Sequence, residues 1–273
     1  MTTLRTEALI LRAVDFRESD RILHLLLPGF GRMAVIARGA RRSIKRFAGT
    51  LDLFNHLRVQ IDQRRSSNMG RLDQAQLVRG FAALRVDPVR FAMGCYLLEL
   101  LDRLAPEGGS PDDMRRLFDF ALQALESVSA RRPDQQLRTI LELRALAALG
   151  LRPELARCVR CGAGLGAGAE VDFHVAEGGP VCGRCAARLT GLLRIHLGTL
   201  RALEQGLRLD LERLDRLILA PGALEEARSL VDRFQRFHVG VELRSQRFLE
   251  QMLPARGALG PLSAVHGRSG PPS

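Results

Sequence analysis

Four cysteines fall in two pairs, Cys158-Val-Arg-Cys161 and Cys182-Gly-Arg-Cys185, in a chain of 273 residues. Each CxxC turn can aim two sulfurs at one point, and two such turns supply the tetrahedral four-thiolate shell that zinc prefers. Gly162 and Gly183 each follow a cysteine directly, where a tight turn gains from a residue without Cβ. The spacing therefore predicts a structural Zn2+ held by Cys158, Cys161, Cys182 and Cys185. All four positions are filled by protein, which leaves none for an activated water. Deprotonated sulfurs leave the centre at about −2. Arg157, Arg160, Arg184 and Arg188 stand beside the ligands to offset that charge. His174 with Glu177 and Pro180 superficially resembles the zinc deaminase signature. That signature needs the Glu two residues after the His and the Pro directly before the Cys, and neither holds here. Cys95, among apolar residues at helical spacing, reads as a small buried hydrophobe.

The second group of functional candidates is cationic. Arg38, Arg41, Arg42, Lys45 and Arg46 lie within nine residues, with no acid among them and with Gly39 in the segment. A glycine-containing cationic loop after a strand is a natural seat for a phosphate backbone. The surrounding charge agrees: residues 1–80 hold 15 Lys+Arg against 7 Asp+Glu, whereas the rest of the chain holds 26 against 23. An arginine-rich genome explains Arg over Lys, but not why the excess sits in the first third. Phe16, Phe30, Phe47 and Phe54 are the only aromatics near the cluster, and some must fill a core. Backbone electrostatics should thus outweigh base stacking, giving weak sequence preference and strong salt dependence. Arg244 and Arg247 form a candidate second basic patch, with a solvated helix face as the rival reading.

The chemistry that is missing narrows the class. The only lysine, Lys45, follows Ile44, which excludes a standard P-loop. No GxSxG elbow, HExxH or paired Asp-x-Asp site is present. The expectation is a binding protein with no catalytic residues, not an enzyme. No run of 18 apolar residues and no signal-type N-terminus occur, so no membrane association and a cytoplasmic, nucleoid-associated location are expected.

These residues need elements to hold them. Ala8 to Val14, Ile22 to Leu27, Met33 to Ala37, the alternating Leu57, Val59 and Ile61, and Leu72 to Val78 read as five short strands. Five strands in about eighty residues suit a small closed barrel of the OB type. Beyond Phe81 the period turns helical: Phe91, Cys95, Leu98, Leu101 and Leu104 form one helix. Ser110-Pro111-Asp112-Asp113, with Ser110 as cap, opens a second, carrying Leu117, Phe120, Ala121, Leu125 and Val128. Pro133-Asp134 opens a third that stops at Gly150. Further helices are expected over 192–206, 207–219 and 224–252, the last broken near Gly240. Residues 254–273, rich in Gly, Pro and Ser, read as a disordered tail. The expected organisation is α+β and multidomain: an OB-fold at 1–80, a helical domain at 81–253 with the zinc motif inserted at 158–185, and the tail.

In this order the parts resemble the bacterial RecO family of recombination mediators. The resemblance rests on Glu7-Ala8-Leu9-Ile10-Leu11 and on the stretch from Arg38 to Gly49. It continues in Leu149 to Leu155 running into Cys158-Val-Arg-Cys161, in Gly178 to Cys185, and in Glu242 to Leu249. It implies an OB-fold and a zinc-bearing helical domain that bind single- and double-stranded DNA and anneal complementary strands. It further implies action with RecR to load RecA onto DNA covered by single-stranded-DNA-binding protein, whose acidic C-terminal tail would dock on the helical domain. The family's basic residues map onto Arg38, Arg41, Arg42, Lys45 and Arg46. Some members lack the cysteines; this chain keeps all four. The rival classes are a zinc-containing RNA-binding translation or ribosome-assembly factor and a zinc-dependent enzyme.

Overall fold

The computed structural model describes residues 2–43, 46–47, 49–63, 69–166, 168–240 and 243–253. The expected tail at 254–273 and the expected contact residue Lys45 lie outside them.

Strands β1 (Thr2–Phe16), β2 (Asp20–Leu27), β3 (Gly31–Ala37), β4 (Asn55–Gln63) and β5 (Gly70–Gly80) close into a barrel in the order β1-β2-β3-β5-β4. Neighbours are antiparallel except β3 and β5, which meet in parallel at Val35↔Gly70 and Ile36↔Arg71. This is the OB-type closure expected from the strand count. Leu57, Val59 and Ile61 point inward as their alternation requires, joined by Leu23, Leu25, Leu27 and Val35. The unbroken apolar run in β1 has a different cause. Ala8 and Ile10 fill the barrel, while Leu9 and Leu11 on the opposite face pack into the core of the helical region.

The barrel meets the helices closely at Gly31, which holds φ of +74°; a Cβ there would lie 2.4 Å from the Pro106 carbonyl. Only glycine permits this backbone approach. The Arg32 amide donates to the same carbonyl at 2.8 Å, and the Gly108 amide donates to Phe30 O at 3.0 Å. Nearby, His24 Nδ1 lies 2.5 Å from Asp102 Oδ1.

The helical region begins with α1 (Ala83–Val86), α2 (Pro88–Leu104), α3 (Pro111–Ala130) and α4 (Gln135–Ala148). Helix α2 is the central element, buried through Val89, Met93, Tyr96, Leu97, Leu98, Leu100 and Leu101. The expected core stripe is displaced: Phe91 is exposed, and Cys95 and Leu104 are only partly buried. Helix α3 starts at Pro111 as expected, but Ser110 makes no side-chain cap bond, and Phe118 rather than Phe120 is buried. Helix α4 is capped by Asp134, which accepts from Leu137 N at 2.7 Å. It ends at Gly150 (φ +81°), where Leu151 N reaches back to Leu146 O at 2.8 Å.

The cysteine segment contributes β6 (Glu170–His174), β7 (Gly179–Val181), the short helix α5 (Gly183–Ala186) and β8 (Leu192–His196). The three strands form an antiparallel sheet in the order β7-β6-β8. Residues 192–196, expected to open a helix, are therefore a strand, drawn into the sheet by β6. Helix α6 (Leu197–Arg208) follows. The helix expected over 207–219 is instead a 3-10 turn at Leu211–Arg216. Its carbonyls are claimed from outside: Arg131 donates to Leu211 O and Glu212 O, and Gln136 donates to Leu217 O. Helices α7 (Pro221–Val239) and α8 (Arg244–Met252) are the last elements among the described residues, with Gly240 after α7 in the left-handed conformation. No helix among the described residues is long and apolar enough to cross a membrane.

Candidate metal centre and nucleic-acid interface

The first CxxC lies in the loop after α4. Gly162, with φ of +70°, lets its amide return to Cys158 O at 2.9 Å. The second CxxC runs from the end of β7 into α5, where the Cys185 amide donates to Cys182 O at 2.9 Å. Gly183 has no left-handed backbone, and open space lies where a Cβ would stand, so the expected need for glycine there does not hold. The two turns are joined by Val159 N donating to Pro180 O at 3.0 Å. This brings the four Sγ atoms within 4.8 Å of one another.

The donor set fits a metal ion. With Zn–S near 2.3 Å a regular tetrahedron has sulfur–sulfur edges of about 3.8 Å. Cys161 Sγ and Cys182 Sγ stand 3.7 Å apart, far beyond disulfide bonding, and every described cysteine is free. The Cys182 amide also donates to Cys158 Sγ at 3.3 Å. Burial alone would push the Cys158 thiol up. Amide bonds from Cys182, Cys161 and Arg160 outweigh it and bring the thiol down to about 6. Arg160 is forked onto Glu177 at 2.5–2.9 Å, and its charge still acts on Cys158 and Cys185. Arg157, Arg184 and Arg188 are exposed around the cluster. His174 lies on β6 with its ring 3.7 Å from Glu177 and is not part of the sulfur cluster. Where β8 meets α6, the His196 ring and the Glu226 carboxylate of α7 pair, and Thr199 Oγ1 donates to the same carboxylate at 2.6 Å.

The cationic segment begins at the end of β3. Gly39 takes φ of +66° while its amide donates to Asp20 at 2.8 Å, and the Arg41 amide donates to Ser19 O at 3.0 Å. These bonds tie the loop to the β1–β2 turn. Arg38, Arg41, Arg42 and Arg46 are all exposed. Arg46 reaches back to Arg38 O at 2.9 Å and lies 5.0 Å over the Phe47 ring. Two partners do not show in the local sequence. Asp15 stands 3.5 Å from Arg41, and Glu18 stands 3.5 Å from Arg42. Arg21 of β2, outside the sequence cluster because it lies well upstream of Arg38, borders a cleft with Arg41, Ser43 and Phe47. The aromatics divide cleanly: Phe47 and Phe54 are buried, while Phe16 and Phe30 are exposed. Arg244 and Arg247 are both exposed on α8, far along the chain from the barrel loop.

Comparison with known proteins places this architecture. Residues 1–81 match the family model Recombination protein O N terminal, and residues 85–247 match Recombination protein O C terminal. The chain is 38% identical over 258 residues to the DNA repair protein RecO of Anaeromyxobacter sp. strain K, covering 94% of this chain and 100% of that one. It is 35% identical over 249 residues to the RecO of Myxococcus xanthus, covering 90% of this chain and 96% of that one. The Symbiobacterium thermophilum RecO is 33% identical over 257 residues, again with 94% of this chain and 100% of that one covered. A barrel followed by a helical region with a four-cysteine cluster, matched along nearly its whole length, belongs to the RecO family of DNA repair proteins.

Proposed function

We propose that this chain is a non-enzymatic, cytoplasmic DNA-binding mediator of recombinational repair. It anneals complementary strands and, with RecR, promotes RecA loading onto single strands covered by single-stranded-DNA-binding protein. The observation that carries this reading is the exposure of Arg38, Arg41, Arg42 and Arg46 at one end of the closed barrel. Their acidic partners are held only through exposed pairs, worth about 0–1 kcal/mol each. A phosphate can therefore replace Asp15 or Glu18 at little cost, whereas a buried pair would resist the exchange. Neutralising phosphates on two strands at once lowers their mutual repulsion during pairing. Lys45 belongs to the same proposed surface.

Cys158, Cys161, Cys182 and Cys185 would hold a structural Zn2+. When bound, the ion supplies a cross-link between the loop after α4 and the β7–α5 corner. The polypeptide does the rest: the sheet β7-β6-β8 orients the second pair, and Glu154 fixes the approach to the first by accepting from the amides of Leu155 and Ala156 at 2.9 and 2.7 Å.

The test is strand annealing without ATP by a full-length variant with Arg41, Arg42, Lys45 and Arg46 changed to Ala. The expected result is slower annealing and a salt slope reduced by about 0.7 for each lost single-strand phosphate contact. Unchanged annealing with an unchanged slope would sink the proposed surface. A preference for structured RNA over DNA would replace the reading with an RNA-binding one.

A further inference from the structure

Helices α7 and α8 enclose a groove of about 870 Å³. Arg236 lines it from α7, and Arg244 and Arg247 line it from α8. All three are exposed, and none makes an ion pair within 4.0 Å among the described residues. Two acids also line the groove, Asp232 and Glu250, and each is engaged from behind. Arg228 stands 3.4 Å from Asp232, and Arg138, with no exposed side-chain surface, directs Nη1 to 3.6 Å from Glu250. Glu142 connects the two arginines, accepting from Arg138 Nε at 2.7 Å and lying 3.8 Å from Arg228. This five-group chain carries −1, so among the described residues the three lining arginines leave the groove at +2. Glu99, whose carboxylate accepts from the first amides of α8, lies within the field of Arg103 on its own helix.

We propose that the α7–α8 groove is a second phosphodiester-binding surface, which takes a nucleic-acid strand independently of the barrel loop. The proposal rests on the nucleic-acid reading above and joins Arg236 to Arg244 and Arg247. Lining chemistry selects a phosphate backbone over a peptide. A docked peptide gains its affinity from apolar anchors in desolvated pockets. Among the described residues the only large apolar one along this groove is Leu243, and it is already buried. What the groove offers is guanidinium groups and the amide of Gln246, which donates to Glu250 at 3.1 Å and has a second hydrogen to give, the donors that backbone contacts use. Phe237 and Phe248, 61% and 39% exposed on the same two helices, lie outside the lining of the groove and are the nearest exposed aromatics in sequence to its arginines. With one strand at the barrel loop and another at the groove, a single molecule carries two strands.

The test uses full-length protein with Arg236→Gln, Arg244→Gln and Arg247→Gln, titrated with a fluorescent 30-nucleotide oligodeoxythymidylate at several salt concentrations. At the groove, three lost phosphate contacts lower the single-strand salt slope by about 2. Over a fourfold rise in salt, wild type then loses about twentyfold more affinity than the variant. Arg247→Gln alone lowers the slope by about 0.7, and an unchanged melting temperature shows the fold intact. If the surfaces are independent, substitutions in the barrel loop and in the groove each remove one of two bound oligonucleotides and leave the affinity at the other surface unchanged. An unchanged slope in the triple variant overturns the groove, and a lowered slope in the barrel-loop variant alongside it leaves the barrel reading standing. Lost binding of a hexaglutamate peptide with DNA affinity unchanged also overturns the proposal and makes the groove a peptide site.

Discussion

The barrel and the cysteine lobe solve the same problem with different materials. Inside the barrel, fourteen buried side chains from Ala8 to Ala75 form a continuous apolar cluster. The lobe's own cluster has three: Cys158, Val181 and Ala186. Fully burying one large aliphatic side chain contributes about 1.5–3 kcal/mol, so the barrel can stand on its core while the lobe needs a staple. The best apolar residues of the lobe, Phe173 on β6 and Ile195 on β8, are lent to the core of the helical region. Where packing suffices, the surface is free for function, and the barrel's rim can expose four arginines. Where it does not, four cysteines stand within 4.8 Å of one another, placed so that a metal could hold the chain together.

Stripping the metal with a chelator, or Cys158→Ser, attacks the comparison with the largest effect. Structural zinc in small sites contributes about 10–16 kcal/mol of apparent binding energy, which with the proposed ion bound would be local folding energy here. Trypsin should then cut within 152–196 while the barrel remains protected and its DNA salt slope unchanged. If the barrel melts as well, the two regions are not separately supported. Leu25→Ala is the reciprocal experiment. Leu25 is fully buried inside the barrel, and the change should cost about 2–5 kcal/mol by calorimetry while zinc content stays at one per chain.

Arg41→Ala with Arg42→Ala should alter folding stability by no more than about 0.5 kcal/mol, because both sit in exposed pairs. Yet the single-strand salt slope should fall by about 1.4, read from titrations between about 50 and 200 mM salt. A stability loss without a change in slope would make the loop a structural clamp instead. The smallest effect lies at the joint between the lobe and the helices. The hydrogen bond to Glu226, aided by its charge, raises the His196 pKa above the ordinary 6.5. Burial works against the ionised Glu226, but bonds from Thr199 and His196 still hold its carboxyl below the ordinary 4.5. The His196 contribution is therefore complete below about 6.5 and fades as pH rises through its raised value. The Glu226 contribution is complete above about 4.5 and fades as pH falls through its lowered value. Amide protection in the first turn of α6, taken relative to the intrinsic exchange rate at each pH, should be greatest between those limits, and His196→Gln should flatten the acid-to-neutral dependence.

The strands are readable because side chains alternate across a sheet: Leu57, Val59 and Ile61 announce their inward face directly. The sulfur cluster is readable because both of its turns are local in sequence. What escapes is settled by contacts across the chain. Residues 192–196 carry Leu192, Leu193 and Ile195, a pattern short enough to suit either a helix or a strand, and β6 decides it. Leucines at 207, 209, 211, 214 and 217 imitate helical spacing, but Arg131 and Gln136 take the carbonyls that a helix would need. The acids facing Arg41 and Arg42 come from a different turn, and the buried Arg138–Glu142 pair looks on paper like an ordinary surface i,i+4 bridge.

Strand β1 is made before the other barrel strands, and β2 pairs with only part of it. Leu9 waits for His56, and Thr2 waits for Gln63, before β4 can close against it. Its outer leucines wait longer still, until α2 has been made. Throughout that interval the nascent chain presents an incompletely paired strand with an apolar outer face, the kind of surface that invites wrong partners. A message that ended after Gly80 would encode every barrel strand, yet leave Leu9, Leu11, Leu26 and Phe54 without the partners that bury them. Such a barrel would keep its inner core yet show chaperones and proteases an apolar outer patch that α2 normally covers.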